Sequence, residues 1–171
     1  MIRLRVDDFT HLDPVVLAGS KEVTTQIFRK ASVETVWIDC PVQQTDCGQE
    51  TEATQFRLRI VASPMYNDVV SNDALGFAMP CQEGARDCLF YIFYSRIAEL
   101  AAIYDIGPDR ILGHVIAHEL GHTLLGSNAH ERFGIMQAKL SPYDTGRLFF
   151  TFAQEKCLRN ELLARDRATN K

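Results

Sequence analysis

The chain lacks the features that mark nucleic-acid-binding and membrane proteins. Of its 171 residues, 18 are lysine or arginine and 22 are aspartate or glutamate, so the formal net charge is −4. The basic residues form no cluster, which argues against a nucleic-acid partner. No apolar run approaches the roughly 20 residues that a membrane-spanning helix needs. We therefore expect no nucleic-acid partner and no membrane segment.

The start of the chain alternates like a strand and has no apolar stretch behind a basic start, so it does not resemble a signal peptide. Cysteines are few, but their spacing is informative: Cys40 and Cys47 are seven residues apart, and so are Cys81 and Cys88. Two local disulfides, Cys40–Cys47 and Cys81–Cys88, fit this spacing, although other pairings or free thiols fit it too. Because disulfides persist in oxidising compartments, we expect the mature part of a secreted or periplasmic protein. Cys157 stands in a predicted helix, where we expect a buried thiol.

The composition predicts one soluble globular domain over residues 1–171, and we expect a monomer. Alternating hydrophobic residues predict strands at 2–9, 33–39, 56–62, 75–79 and 89–94. Helical periodicity predicts helices at 13–31, 96–104, 108–125 and 151–167, the second of them capped by Ser95. Polar segments at 43–54 and 63–73 predict loops.

The pentapeptide HELGH at residues 118–122 carries most of the functional information. Proline at the first helical position and Gly126 after the last predict a helix over Pro108–Leu125. On this helix His118 and His122 lie one turn apart, so both imidazoles can reach one zinc ion at about 2.0–2.1 Å. Glu119 lies about 100° around the helix, beside the metal, where it can act as a general base.

A catalytic zinc ion usually has three protein ligands and one open position. His130, eight residues after His122, is the first candidate for the third ligand. His114 lies one turn before His118 and too far up the helix to reach the metal, so we expect it to pack in the interior. The alternatives for the third ligand are acidic residues: Glu131, Asp144, Glu155 and Glu161.

The stretch HELGHTLLGSNAHERFGIM resembles the metzincin metallopeptidases, whose signature is HExxHxxGxxH followed by a methionine-containing turn. The matching positions are His118, Glu119, His122, Gly126, His130 and Met136. The glycine and the third histidine each come one residue later than in the pattern relative to the preceding matched position, so the loop is two residues longer. The resemblance implies zinc held by the three histidines, with Met136 as the hydrophobic floor of the site. A group of small secreted bacterial proteins with HELGH and a GIM turn is also similar.

The same resemblance implies the fold. It is a mixed α/β (α+β) zincin domain, in which a twisted mixed sheet with an antiparallel edge strand packs on a backing helix and the HExxH helix, followed by a C-terminal helix. An N-terminal subdomain would span 1–125 and a smaller C-terminal one 126–171. The edge strand would lie at 75–79, where Gly76, Phe77, Ala78 and Met79 would pair with an extended peptide. An edge strand without a binding role is the alternative.

The function implied is that of a secreted zinc metalloendopeptidase acting on polypeptides, with Glu119 as general base. The longer loop before His130 motivates one alternative, a zinc-binding domain without proteolytic activity. A zinc amidase acting on cell-wall fragments is another, because the chemistry of its site would be the same.

Overall fold

The computed structural model describes residues 1–41, 47, 54–64, 71–79, 81, 88–126, 130–145 and 147–169. The described residues form five strands: β1 (Ile2–Asp8), β2 (Thr35–Cys40), β3 (Gln55–Val61), β4 (Gly76–Ala78) and β5 (Cys88–Phe93). They also form four α-helices, which are α1 (Pro14–Lys30), α2 (Tyr94–Tyr104), α3 (Pro108–Leu125) and α4 (Phe152–Thr169). A short 3-10 turn spans Pro142–Asp144. The loops predicted at 43–54 and 63–73 lie largely outside the described residues.

The strands form one mixed sheet in the order β2-β1-β3-β5-β4. Strands β2, β1, β3 and β5 run parallel to one another, and β4 pairs antiparallel with β5 at the edge. The predicted mixed α/β fold with an antiparallel edge strand is therefore confirmed at this level. Most predicted elements differ from the observed ones by one or two residues at each end, and the helix over Pro108–Leu125 has the predicted bounds.

Helices α1 and α3 pack side by side against the apolar face of the sheet. Alternate residues of β1 are almost completely buried in this core: Ile2, Leu4 and Val6 are at most 2% exposed. A side chain at Gly113 of α3 would place Cβ 2.6 Å from Cβ of Val23 in α1, so glycine permits the close approach of the two helices. The Thr24 hydroxyl in α1 donates to the Gly113 carbonyl at 3.0 Å. These contacts fix α3 over the sheet.

Two expectations about the helices are wrong. Ser95 does not cap α2, because the helix begins at Tyr94 directly after β5, and the Ser95 N–H donates to the carbonyl of Ala62 at 3.0 Å. Cys157 is exposed and not buried. The reason is the register of α4, whose inward face carries Leu158 and Leu162 one turn apart.

Both local disulfides are present. The Cα atoms of Cys40 and Cys47 are 5.5 Å apart, and those of Cys81 and Cys88 are 5.3 Å apart, which is the usual separation for bridged cysteines. Two disulfides are compatible with an extracellular or periplasmic location. Within the described part of the chain, no helix has the length and apolar character that crossing a membrane requires.

Candidate metal centre

Helix α3 carries the HExxH residues beside β4, the edge strand of the sheet. Gly107 precedes its first turn and Pro108 opens it, so no helical hydrogen bond is lost there. Gly126 ends the helix in the left-handed conformation, with φ of 63°, which glycine adopts without steric cost. Between these ends His118 and His122 lie on one side of the helix, and their ring centroids are 4.6 Å apart.

A compact turn at residues 131–137 brings His130 back over the end of α3. The Glu131 N–H donates to the Met136 carbonyl at 2.7 Å, and the Ile135 N–H donates to the carbonyl of Phe149 at 3.0 Å. Gly134, at the bend, has φ of 80°, a conformation that favours glycine. One of these hydrogen bonds closes the turn and the other ties it to Phe149. Together they fix the position of the chain directly after His130.

The structure brings His118, His122 and His130 together. One ring nitrogen from each lies within 4.8 Å of the other two. The His130 ring centroid is 5.3 Å from that of His118 and 4.9 Å from that of His122. No fourth histidine, cysteine, aspartate or glutamate joins the group among the residues that are described. The group can hold a metal ion through three imidazoles.

Two of the three donor nitrogens are spaced for a shared metal ion. Two nitrogens bound tetrahedrally to zinc at about 2.0–2.1 Å lie about 3.3 Å apart. The Nε2 atoms of His118 and His122 are 3.0 Å apart, which a small rotation of either ring adjusts to that value. Nδ1 of His118 lies 2.8 Å from the Ile135 carbonyl oxygen. A carbonyl can only accept, so this nitrogen carries the proton, and the lone pair of His118 is on Nε2, facing the other two rings.

Burial keeps His118 neutral. Desolvation lowers the pKa of His118 to about 4, against the hydrogen bond to Ile135 and with help from the neighbouring rings of His122 and His130. A neutral imidazole is the form that binds a metal. His130 is exposed, so the metal position is open to solvent on that side.

Glu119 lies beside the histidines and is only 7% exposed. Desolvation raises the pKa of Glu119 to about 8, and a hydrogen bond from the backbone N–H of Ala78 opposes this shift. The raised pKa brings this carboxyl into the range where a group both accepts and returns protons near neutral pH. A cation close to Glu119 would lower the pKa of its carboxyl and so favour the charged carboxylate.

Met136 is 1% exposed and lies against Gly121 of α3. A Cβ at Gly121 would lie 2.5 Å from Met136 Sδ and 3.0 Å from Cε1 of Phe150. The glycine between Glu119 and His122 therefore leaves room for the methionine. Met136 thus packs against the HExxH helix, and its role as the hydrophobic floor of a metal site stays a prediction.

A cavity of about 510 Å³ runs along the histidines. One wall is the strand β4 with the residues before it, the floor is α3, and the other wall is the segment after Met136. Leu100, Val115 and Leu140 make part of the lining apolar, whereas Asp73 and Lys139 add charge. The cavity therefore contains the three histidines, Glu119 and one edge of the sheet.

The other histidines and the acidic alternatives lie outside the group of three histidines, although His114 also lines the cavity. His114 is buried, with Nδ1 donating to the Arg110 carbonyl at 2.8 Å, as expected of a packing residue. His11 is exposed near the N-terminus. Tyr143 is exposed and contacts Tyr104 edge to face. The acidic alternatives for the third ligand are absent from the histidine group: Glu131, Asp144, Glu155 and Glu161.

Sequence reasoning missed two contacts of the site, both made by backbone atoms. One is the Ile135 carbonyl on His118, and the other is the Ala78 N–H on Glu119. The residue types give no signal for the first. The contact between Ala78 and Glu119 did have a sequence signal, because a glycine inside a predicted strand marks the close approach of another group, and Gly76 stands two residues before Ala78.

No protein-family model matches the chain, and no curated protein matches it. The class of site is therefore defined by the geometry alone. It is a three-histidine group able to hold a metal ion, in an open cavity between an α-helix and the edge of a mixed sheet.

Proposed function

We propose that this protein is a zinc-dependent metallopeptidase. The observation that carries the proposal is the convergence of His118, His122 and His130, with ring nitrogens within 4.8 Å, in the same cavity as the buried carboxyl of Glu119. Three imidazole ligands leave one position for water or substrate, which is typical of catalytic zinc sites, whereas structural sites are closed by four protein ligands.

The residues of the site have different roles in this proposal. His118, His122 and His130 would hold the ion, and the Ile135 carbonyl fixes the ring of His118. Zinc bound there would supply Lewis-acid chemistry, polarising a carbonyl and acidifying a water molecule. Glu119 takes a proton from the attacking water molecule while the oxygen of that water bonds to the carbonyl carbon. It then returns a proton to the amine nitrogen as the carbon–nitrogen bond breaks.

The edge strand supports a polypeptide as substrate. The N–H of Met79 and the C=O of Leu75 pair with β5, so the backbone groups of Gly76 and the carbonyl of Ala78 remain for a peptide at the free edge, beside the cavity. An extended peptide can add to such an edge by backbone hydrogen bonds, which recognise the main chain of any sequence. This arrangement favours peptide bonds over other amides.

The test combines metal content and hydrolysis. Zinc measured by mass spectrometry in the purified protein should be about one per chain and should fall strongly in His130→Ala. Glu119→Gln should keep the zinc and lose about 100- to 10,000-fold in the rate of cleavage of an unbiased peptide library. Exposed Glu131, next to His130, offers the matched control: Glu131→Gln should retain both zinc and activity.

Three outcomes would contradict the proposal. Unchanged hydrolysis in Glu119→Gln would remove the general base. Loss of zinc in Glu131→Gln but not in His130→Ala would show a different third ligand. Zinc binding with no cleavage of any peptide by the wild-type protein would leave a binding domain, or an amidase if the same preparation releases amines from cell-wall fragments.

A further inference from the structure

Gly76 of the edge strand lies directly against the side chain of Glu119. A Cβ built at Gly76 would be 2.7 Å from Cγ of Glu119, 2.8 Å from Oε1 and 2.9 Å from Cδ. Gly76 is not among the residues with positive φ, so its backbone is one that any amino acid adopts. What glycine provides at this position is space, and Glu119 fills it.

Ala78, two residues further along the same strand, contacts the same side chain. Its N–H faces the free edge of β4 and donates to the Glu119 carboxylate. The carboxylate is thus held by a backbone donor at one end of a three-residue strand. At the other end, the absence of a side chain on Gly76 leaves room for the aliphatic part of Glu119.

We propose that β4 positions the general base: Gly76 and the Ala78 N–H together set the Glu119 carboxylate in its place beside the histidines. Gly76 is a positioning residue, and any side chain there displaces the carboxylate from the N–H of Ala78. The kinetic part of this inference rests on the proposed function. Because the Ala78 N–H bonds to Glu119, an added peptide strand could pair at this edge only with the backbone groups of Gly76 and with the Ala78 carbonyl.

A double-mutant cycle on stability tests the contact without any assay of activity. In the metal-free protein, Gly76→Ala should lower the Tm by roughly 4 °C, because an overpacked buried site has to rearrange. In a Glu119→Ala background the same change should not lower the Tm, because the atoms that it meets are gone. An equal fall in both backgrounds would overturn the proposal. If Gly76→Ala alone does not fold, folding of the double variant supports the contact, and failure of both overturns it.

Kinetics of the zinc-loaded enzyme test the consequence. Gly76→Ala should retain one zinc per chain and lose about 100-fold in kcat, the loss expected from misplacing a reacting group by about 1 Å, with a much smaller change in KM. Gly19→Ala is the matched control, since its Cβ would lie 2.8 Å from Oδ2 of Asp109, a similar clash at the start of α3. That variant should keep kcat.

The two arms separate failure of the inference from failure of the proposed function. Full kcat in zinc-loaded Gly76→Ala would overturn the positioning role even where the enzyme is a peptidase. A comparable loss of kcat in Gly19→Ala would also overturn it, because the loss would then reflect general destabilisation. If the wild-type protein cleaves no peptide, the stability cycle alone decides whether β4 holds Glu119.

Discussion

The stability of the metal-free protein should depend on pH through Glu119 and His118. Burial raises the pKa of Glu119 from 4.5 to about 8, so its contribution is complete below pH 4.5 and is lost as the pH rises toward 8. Burial lowers the pKa of His118 from 6.5 to about 4, so its contribution is complete above pH 6.5 and is lost as the pH falls toward 4. The two slopes oppose each other between pH 4.5 and 6.5.

Above pH 6.5 only the Glu119 slope remains. Each pH unit above 6.5 then costs up to about 1.4 kcal/mol, and the slope halves at the pKa itself, so the free energy of unfolding should fall by roughly 1.5 kcal/mol between pH 6.5 and 8. For a chain of this length that fall corresponds to a Tm lower by about 3–6 °C. Scanning calorimetry in the presence of a chelator, at pH 6.5, 7.25 and 8, measures it directly.

Glu119→Gln is the matched variant, because the amide has nearly the shape of the carboxyl and does not ionise. Its Tm should change little between pH 6.5 and 8. In wild-type protein saturated with zinc the fall should also shrink, because a nearby cation favours the charged carboxylate. A flat Tm in the metal-free wild-type protein would refute the reasoning, and so would an equal slope in Glu119→Gln.

Three further predictions concern single side chains around the site. Gly121→Ala should cost about 1–3 kcal/mol in denaturant unfolding and weaken zinc retention against a chelator, because its Cβ meets Met136 Sδ; unchanged values would show that Met136 yields freely. Gly126→Ala should cost about 1–2 kcal/mol through its left-handed backbone, yet leave zinc binding intact, since no described residue beyond its chain neighbours lies within 4 Å of the added Cβ. Exposed Cys157→Ser should change the free energy of unfolding by less than about 0.5 kcal/mol, and a larger loss would mean that the thiol is packed.

The elements could be predicted from sequence because their signals are local. Helix α3 has proline at its start, glycine at its end and apolar residues at helical spacing, and its observed bounds agree with those signals. Burial alternates along most of β3 and β5, as their sequences predict, but not along β1, where Arg5 and Asp7 are buried as well. The inward register of α4 could not be predicted in this way, because Phe152, Cys157 and Leu163 are apolar yet exposed, and only the packing against α3 decides which face turns inward.

The buried surface of α1 shows the same limit. Apolar periodicity points to one face with Val16, Val23, Ile27 and Phe28. Ile27 and Phe28 are buried, but Val16 and Val23 are only partly buried, whereas Ser20 and Thr24 are fully buried. The small polar residues lie inside because α1 approaches Gly113 closely, and the carbonyl of Gly113 satisfies the Thr24 hydroxyl. A contact between residues 89 positions apart has no local signature.

The placing of His130 shows what tertiary structure adds to a motif. Its spacing from His122 is two residues longer than the metzincin pattern, and still its ring lies with the other two. The turn on its C-terminal side explains this, because the Glu131–Met136 and Ile135–Phe149 hydrogen bonds fix the chain just beyond His130. The Ile135 carbonyl of the same turn also sets the tautomer of His118. One turn therefore both holds the chain directly after the third imidazole and orients the first.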